Sequence, residues 1–265
     1  MNRFALIFSI LSIFSTFTFA ESLDLRNVVR QEQISLPEVV SGDLNLSGIF
    51  QLNEFMFPKE VDGNLYVSGL YQANFVFFPE VLKGSIFAES LTYATDVDLP
   101  KVCHGSIAFD RLEKVDHLEF PMMMVGSVIL QNLHSFESVK LPLVIGGDLL
   151  LNAMTNTNQL DFPHTVKNNL FLNSLESLNG VDLPHTVGGS LFLPALKTLE
   201  GAKLPAQIGG DLYLNSLKDM DQSLLPKDFK GLVFLRDGGH PLRFEEKLNS
   251  NVEIVAPDVE AVDSH

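Results

Sequence analysis

Apolar and polar residues alternate along this chain in a frame that resets every 21 residues. Pro37, Pro58, Pro79, Pro100, Pro121, Pro142, Pro163, Pro184, Pro205 and Pro226 keep that spacing without an insertion. Numbering each unit from its proline, position four (Val40, Val61, Leu82, Cys103 and so on to Phe229) is apolar throughout. So is position eight, from Leu44 to Val233, and positions ten, thirteen, sixteen, nineteen and twenty-one are mostly apolar. A fixed period of this length predicts a solenoid, whose repeats are too small to bury their apolar side alone and must stack. About seven inward side chains per coil, at roughly 1.5 to 3 kcal/mol for each large one fully buried, offset chain entropy that a lone coil could not.

Positions eight to ten read apolar, outward, apolar, the period-two mark of a short strand. Just before them, position six is glycine in every coil except that of Asn168. Because Asn is the side chain that most readily follows Gly into a left-handed backbone, this column predicts a corner with positive φ. The proline, which cannot donate to a central ladder, belongs at a turn. Leu23 and Leu25 fit a truncated first coil, and Val252, Ile254 and Val255 suggest a last strand beyond Asp237-Gly238-Gly239. The expected fold is all-β: a right-handed parallel β-solenoid of about ten 21-residue coils over residues 21–256, with a signal peptide at 1–20 and a flexible acidic tail at 257–265.

The leading segment carries Arg3, an apolar stretch from Phe4 and a Thr18-x-Ala20 ending, the layout of a secretory signal. Its five Ser or Thr residues and the following Glu21 argue against a retained membrane anchor. The chain is therefore expected to be exported, to the periplasm, the cell surface or the medium, with no membrane insertion after cleavage. A single cysteine rules out an internal disulfide, and Cys103 in the inward column at position four reads as a small core hydrophobe. The short signal and the lack of cysteine pairs point to a bacterial protein.

Loss of Arg3 leaves 17 Lys and Arg against 33 Asp and Glu, a net charge near −16. Such acidity argues against nucleic acid as a partner and favours solubility. Catalytic chemistry would have to appear as neighbours one coil apart. His164 stacks over His185, but no third ligand type shares their column, so no metal is expected. Asp98 over Glu119, Asp161 over Asp182 and Asp116 over Glu137 are carboxylate pairs of the kind a polysaccharide-cleaving enzyme uses. Two of these pairs share position twenty and the third is at position seventeen, and no group of Lys or Arg converges on them, so neither catalysis nor a cofactor is expected. Asn45-Leu46-Ser47 fits a glycosylation acceptor, which matters only in a eukaryote.

Position nine points outward yet reads Tyr66, Phe87, Ile129, Leu150, Phe171, Phe192, Tyr213 and Phe234, with only Asn45 and Ala108 small or polar. Exposed apolar stripes mark interaction surfaces, while aromatic and aliphatic ladders also stabilise parallel sheets by contact between coils. These eight residues are the candidate binding site, with Phe171, Phe192, Tyr213 and Phe234 as flat anchors and Asn152, Asn173 and Asn215 beside them.

The phrases "LPEVVSGDLNLSGI", "FPKEVDGNLYVSGL" and "LPAQIGGDLYLNSL" resemble the core phrase of receptor L domains, the leucine-rich, right-handed β-helical modules of growth-factor and insulin receptors and of fungal wall proteins. They are equally similar to leucine-rich-repeat-like arrays of bacterial surface proteins. The resemblance covers nearly all of residues 21–256. Flanking cysteine-rich modules are missing, most coils lack the usual turn Asn, and the 21-residue step is unusually regular. It implies a non-enzymatic scaffold that binds a protein partner or a second copy of itself. A glycan or cell-wall ligand and a purely structural spacer are the alternatives, the absence of Trp weighing against sugar stacking.

Overall fold

The two invariant apolar columns each turn out to anchor a sheet. In the computed structural model, which describes residues 21–157 and 160–236 and the backbone of Leu242–Arg243, the chain is a β-solenoid of about ten turns built from three sheets. Positions three and four form a nine-stranded sheet from Val39–Val40 to Gln207–Ile208. Positions eight and nine form a twelve-stranded sheet that begins at Leu23–Asp24, so the truncated first coil is real. Positions fifteen to twenty form a six-stranded sheet from Gln51–Met56 to Leu160–Asp161. All coil-to-coil pairing is parallel and in register at 21 residues, as in Leu44 opposite Leu65 and Leu65 opposite Ile86. At the far end Leu242–Arg243 runs antiparallel to Leu232–Leu235. The signal segment, the strand expected around Val252, Ile254 and Val255, and the acidic tail lie outside the described residues.

Every position-eight side chain from Leu44 to Val233 has no solvent exposure, and every position-four side chain from Val40 to Phe229 is buried. Position ten completes this wall of the core down to Leu214. The apolar residues at sixteen and nineteen are both buried although only three apart, as in Leu52 and Phe55 or Ala73 and Val76. Strict alternation would turn one of them outward. In three coils the chain corrects the phase with a left-handed residue at position eighteen: Glu54, Phe75 and Asp96 have φ of 50°, 51° and 49°, whereas His117 lets Val115 and Leu118 both be buried without positive φ. The three stacked bulges bring position nineteen inward and turn position twenty to solvent.

The left-handed corner was expected at position six and stands at position eighteen. Gly180 and Gly201, with φ of 74° and 69°, occupy that same slot in later coils. There a tight turn, closed by Val181 N–H donating to the Leu178 carbonyl at 3.1 Å, replaces the long strand. At position six no glycine has positive φ, nor does Asn168. Glycine is favoured there by close approach between coils: a Cβ on Gly84 would lie 2.3 Å from the Gly63 carbonyl oxygen, and one on Gly105 2.3 Å from that of Gly84. The same crowding lets Gly84 N–H donate to Gly63 O at 3.1 Å and Gly105 N–H to Gly84 O at 3.0 Å.

Position seven carries a second ladder. Ser22, Asp43, Asn64, Ser85, Ser106, Ser127, Asp148, Asn169, Ser190 and Asp211 each accept, through a side-chain oxygen, the backbone N–H of the same position one coil on. These ten bonds run from 2.7 to 3.1 Å and end at Leu232, which offers no acceptor. They satisfy amides at the corner where the backbone leaves one sheet for the next.

Candidate functional site

All eight predicted stripe residues lie on the outward face of the twelve-stranded sheet: Tyr66, Phe87, Ile129, Leu150, Phe171, Phe192, Tyr213 and Phe234. Each is half-buried, and Ala108 in the same column is buried. Contact between coils supplies the cover. Phe171, Phe192, Tyr213 and Phe234 form a continuous ring column with centroids 4.4, 4.3 and 4.5 Å apart and planes within 11° of parallel, and Tyr66 stacks on Phe87 at 5.2 Å. Rings stacked along the solenoid axis use their faces on one another and offer mainly their edges to solvent. A flat platform for a sugar ring needs an open face, which the interior rings Phe192 and Tyr213 do not have. Of the flanking amides, Asn173 and Asn215 are exposed and Asn152 is half-buried.

Two more apolar surfaces escaped the sequence reading. On the nine-stranded sheet and its proline edge, Val102, Met122, Met123, Val125 and Leu143 are 41, 72, 65, 65 and 49% exposed. They come from positions two, three and five of three consecutive coils, so no single column reveals them; the run Met122-Met123 was the available signal. On the first coils of the six-stranded sheet, Phe50, Tyr71 and Tyr93 form an exposed cluster, with Phe50 stacked on Tyr71 at 5.2 Å and Tyr71 edge-on to Tyr93 at 5.7 Å. Amides run beside it: Asn74 donates to Asn53 Oδ1 at 2.9 Å, and the Gln31 side chain donates to Asn53 O and accepts from Asn53 N–H. Proximity to Tyr71 and the Glu113 charge raise the Tyr93 phenol above its usual range.

Of the titratable groups singled out by sequence, His164, His185 and Asp182 line one shallow hollow with Lys203. His164 and His185 stack at 5.2 Å, and among the described residues no three His, Cys, Asp or Glu side chains gather to hold a metal. Asp98 is opposite Glu119, but Lys140 is the next rung and donates to Glu119 Oε2 at 3.1 Å, with Asp161 beyond it. Lys83 bridges Glu60 at 3.0 Å and Asp62 at 2.7 Å, its hydrogen bond depressing the Asp62 carboxyl. Cys103 is buried, its Sγ 3.7 Å from the Gly84 and Gly105 carbonyls, and burial pushes its thiol up to about 11. Among the described residues no helix is long and apolar enough to cross a membrane. No family model matches the chain, and neither the curated proteins nor the solved structures compared with it include a match.

Proposed function

We propose that this chain is an exported, non-enzymatic repeat scaffold that binds a protein partner through apolar side chains on the outward faces of its sheets. The observation that carries the reading is the exposure of Val102, Met122, Met123, Val125 and Leu143 on neighbouring coils of one sheet. Contiguous exposed apolar patches mark interaction sites, and flexible methionines suit a surface that must fit a partner. Around the glycine corner, the position-nine stripe continues apolar character onto the next face through Ile129 and Leu150. The resemblance to receptor L domains agrees with a binding role and names no ligand.

The test compares three folded proteins for retention of a partner in a pull-down followed by direct titration: wild type, Met122→Asp with Val125→Asp, and Phe171→Ser with Phe192→Ser. A partner held by the wild type and released by either variant is expected. A wild type that retains nothing, or a partner held equally by all three, would overturn the proposal. A glycan-binding reading is favoured by one feature, the exposed Phe50, Tyr71 and Tyr93 beside the Asn53 and Asn74 amides. Retention of the wild type on a glycan array, lost in Tyr71→Ala with Tyr93→Ala, would select it instead.

A further inference from the structure

The chain is strongly acidic, yet most of one sheet face carries no acid at its outward positions. Over six consecutive coils, from Pro100 to Gly209, the exposed and outward positions two, three and five of the nine-stranded sheet carry Lys101, His104, His164, Lys167 and His185 and not one Asp or Glu. Carboxylates border the stretch without entering these positions: Asp182 at position twenty shares a shallow hollow with Leu143, His164 and His185, and Asp148 stands at position seven past the glycine corner. Glu60, Asp62 and Glu80 stand on earlier coils, where they hold Lys83 and Lys101. In a chain with net charge −15, a face free of carboxylates over six coils departs from the rest of the surface.

Its charges are also ordered. Lys101 and His104 lie on the coil before the methionine pair; His164 and Lys167 lie on the second coil after it, with His185 beyond. Between them are Met122, Met123, Val125, Leu143 and Val144, with Met123 and Val144 register partners. An apolar centre with a charged rim is the anatomy of a protein interface. Three coil steps separate Lys101 from the coil of Lys167, about 14 Å at the spacing of parallel strands, which is close to four residues of extended chain.

Resting on the scaffold reading above, we propose that this face docks an acidic polypeptide segment of another protein, whose apolar side chains cover Met122, Met123, Val125 and Leu143 while carboxylates at its two ends meet Lys167 and Lys101, the latter in exchange for its long, solvent-exposed contact with Glu80 at 3.5 Å. Complementary charge selects such a segment and speeds its encounter, and the apolar centre holds it. An anionic lipid surface fits less well, because the remaining faces of an acidic solenoid would be repelled by it.

The probe is a fluorescein-labelled peptide with a Leu-Val-Leu centre between pairs of Glu, compared with the same peptide carrying Lys pairs, followed by anisotropy at low and high salt. The Glu peptide is expected to bind more tightly than the Lys peptide, to weaken as salt rises, and to lose at least about ten-fold in affinity, or 1.4 kcal/mol, to Lys101→Glu with Lys167→Glu. Met123→Asp with Val125→Asp is a second route to the same loss; circular dichroism and thermal melting establish that each variant is folded. Equal binding of both peptides, no effect of charge reversal, or capture by phosphatidylserine vesicles in place of the peptide would overturn the inference. A salt-sensitive dimer of the protein that charge reversal dissolves would overturn it in favour of a second copy as occupant. Finally, a natural partner released by Phe171→Ser with Phe192→Ser and retained by the charge reversal would leave the scaffold reading intact and sink this one.

Discussion

Ser106 Oγ accepts the backbone N–H of Ser127 at 2.9 Å, from the same slot one coil earlier. Ser127 repeats the gesture toward Asp148. Replacing Ser106 with Ala leaves a partly buried amide without its partner and is expected to cost about 1 to 2 kcal/mol in urea denaturation. Ser106→Asn should cost much less, because Asn64 and Asn169 already fill the slot. Equal losses from both substitutions would show that the acceptor contributes nothing.

Two glycines separate two physical causes. Gly180 has φ of 74° and open space around a would-be Cβ, so Gly180→Ala is expected to lose about 1 to 2 kcal/mol through backbone conformation alone. Gly105→Ala places a methyl 2.3 Å from the Gly84 carbonyl oxygen and should lose more, about 3 kcal/mol. Asp96→Gly, which relieves a left-handed non-glycine residue, is expected to be neutral or to stabilise by up to about 1 kcal/mol. Thermal melts of the three variants test this ranking.

Phe192 is stacked on both Phe171 and Tyr213, whereas no ring stacks on Ile129. Aromatic pairs contribute about 0.5 to 1.5 kcal/mol beyond area burial. Phe192→Ser should therefore destabilise clearly more than Ile129→Ser, and a double-mutant cycle with Phe171→Ser should give a coupling in that range. No coupling would mean that the column stands for binding alone and adds nothing to the sheet.

Much of this fold was legible because the same side-chain chemistry returns every 21 residues. The inward columns from Val40 and Leu44 onward and the strand at positions eight and nine needed only that pattern. The position-six glycines misled because a glycine column has two causes, positive φ and crowding, and sequence does not distinguish them. The acceptor ladder stayed hidden because Ser106, Asn64 and Asp148 look like a variable polar column, although all three present an oxygen at similar reach. For the stripe at Phe171 to Phe234, sequence located the face but not the stacking that consumes the rings' own faces. The patch around Met122 and Val125 spans three columns, so reading one column at a time passed over it.

Cys103 offers a pH test. Its thiol, near 11 in the folded chain against an ordinary 9.0, keeps its proton more tightly when folded. The stability this contributes is fully present below pH 9 and is lost as pH rises through about 11, because the unfolded chain ionises first. Cys103→Val should flatten that part of the pH–stability curve. In the native protein the thiol should react with an alkylating reagent only as fast as the coil opens, so labelling should accelerate sharply with urea.

Parallel in-register coils carry a hazard: the last one exposes a strand edge on which another chain could continue the same pairing, the growth step of a fibre. Here Leu242–Arg243 turns back antiparallel against Leu232–Leu235, just where Leu232 has already ended the side-chain ladder. A newcomer aligned like the coils would meet a strand of the wrong polarity. The reversal therefore acts as a stopper, and a chain cut after Arg236 should nucleate fibrils at concentrations where the intact protein stays dispersed.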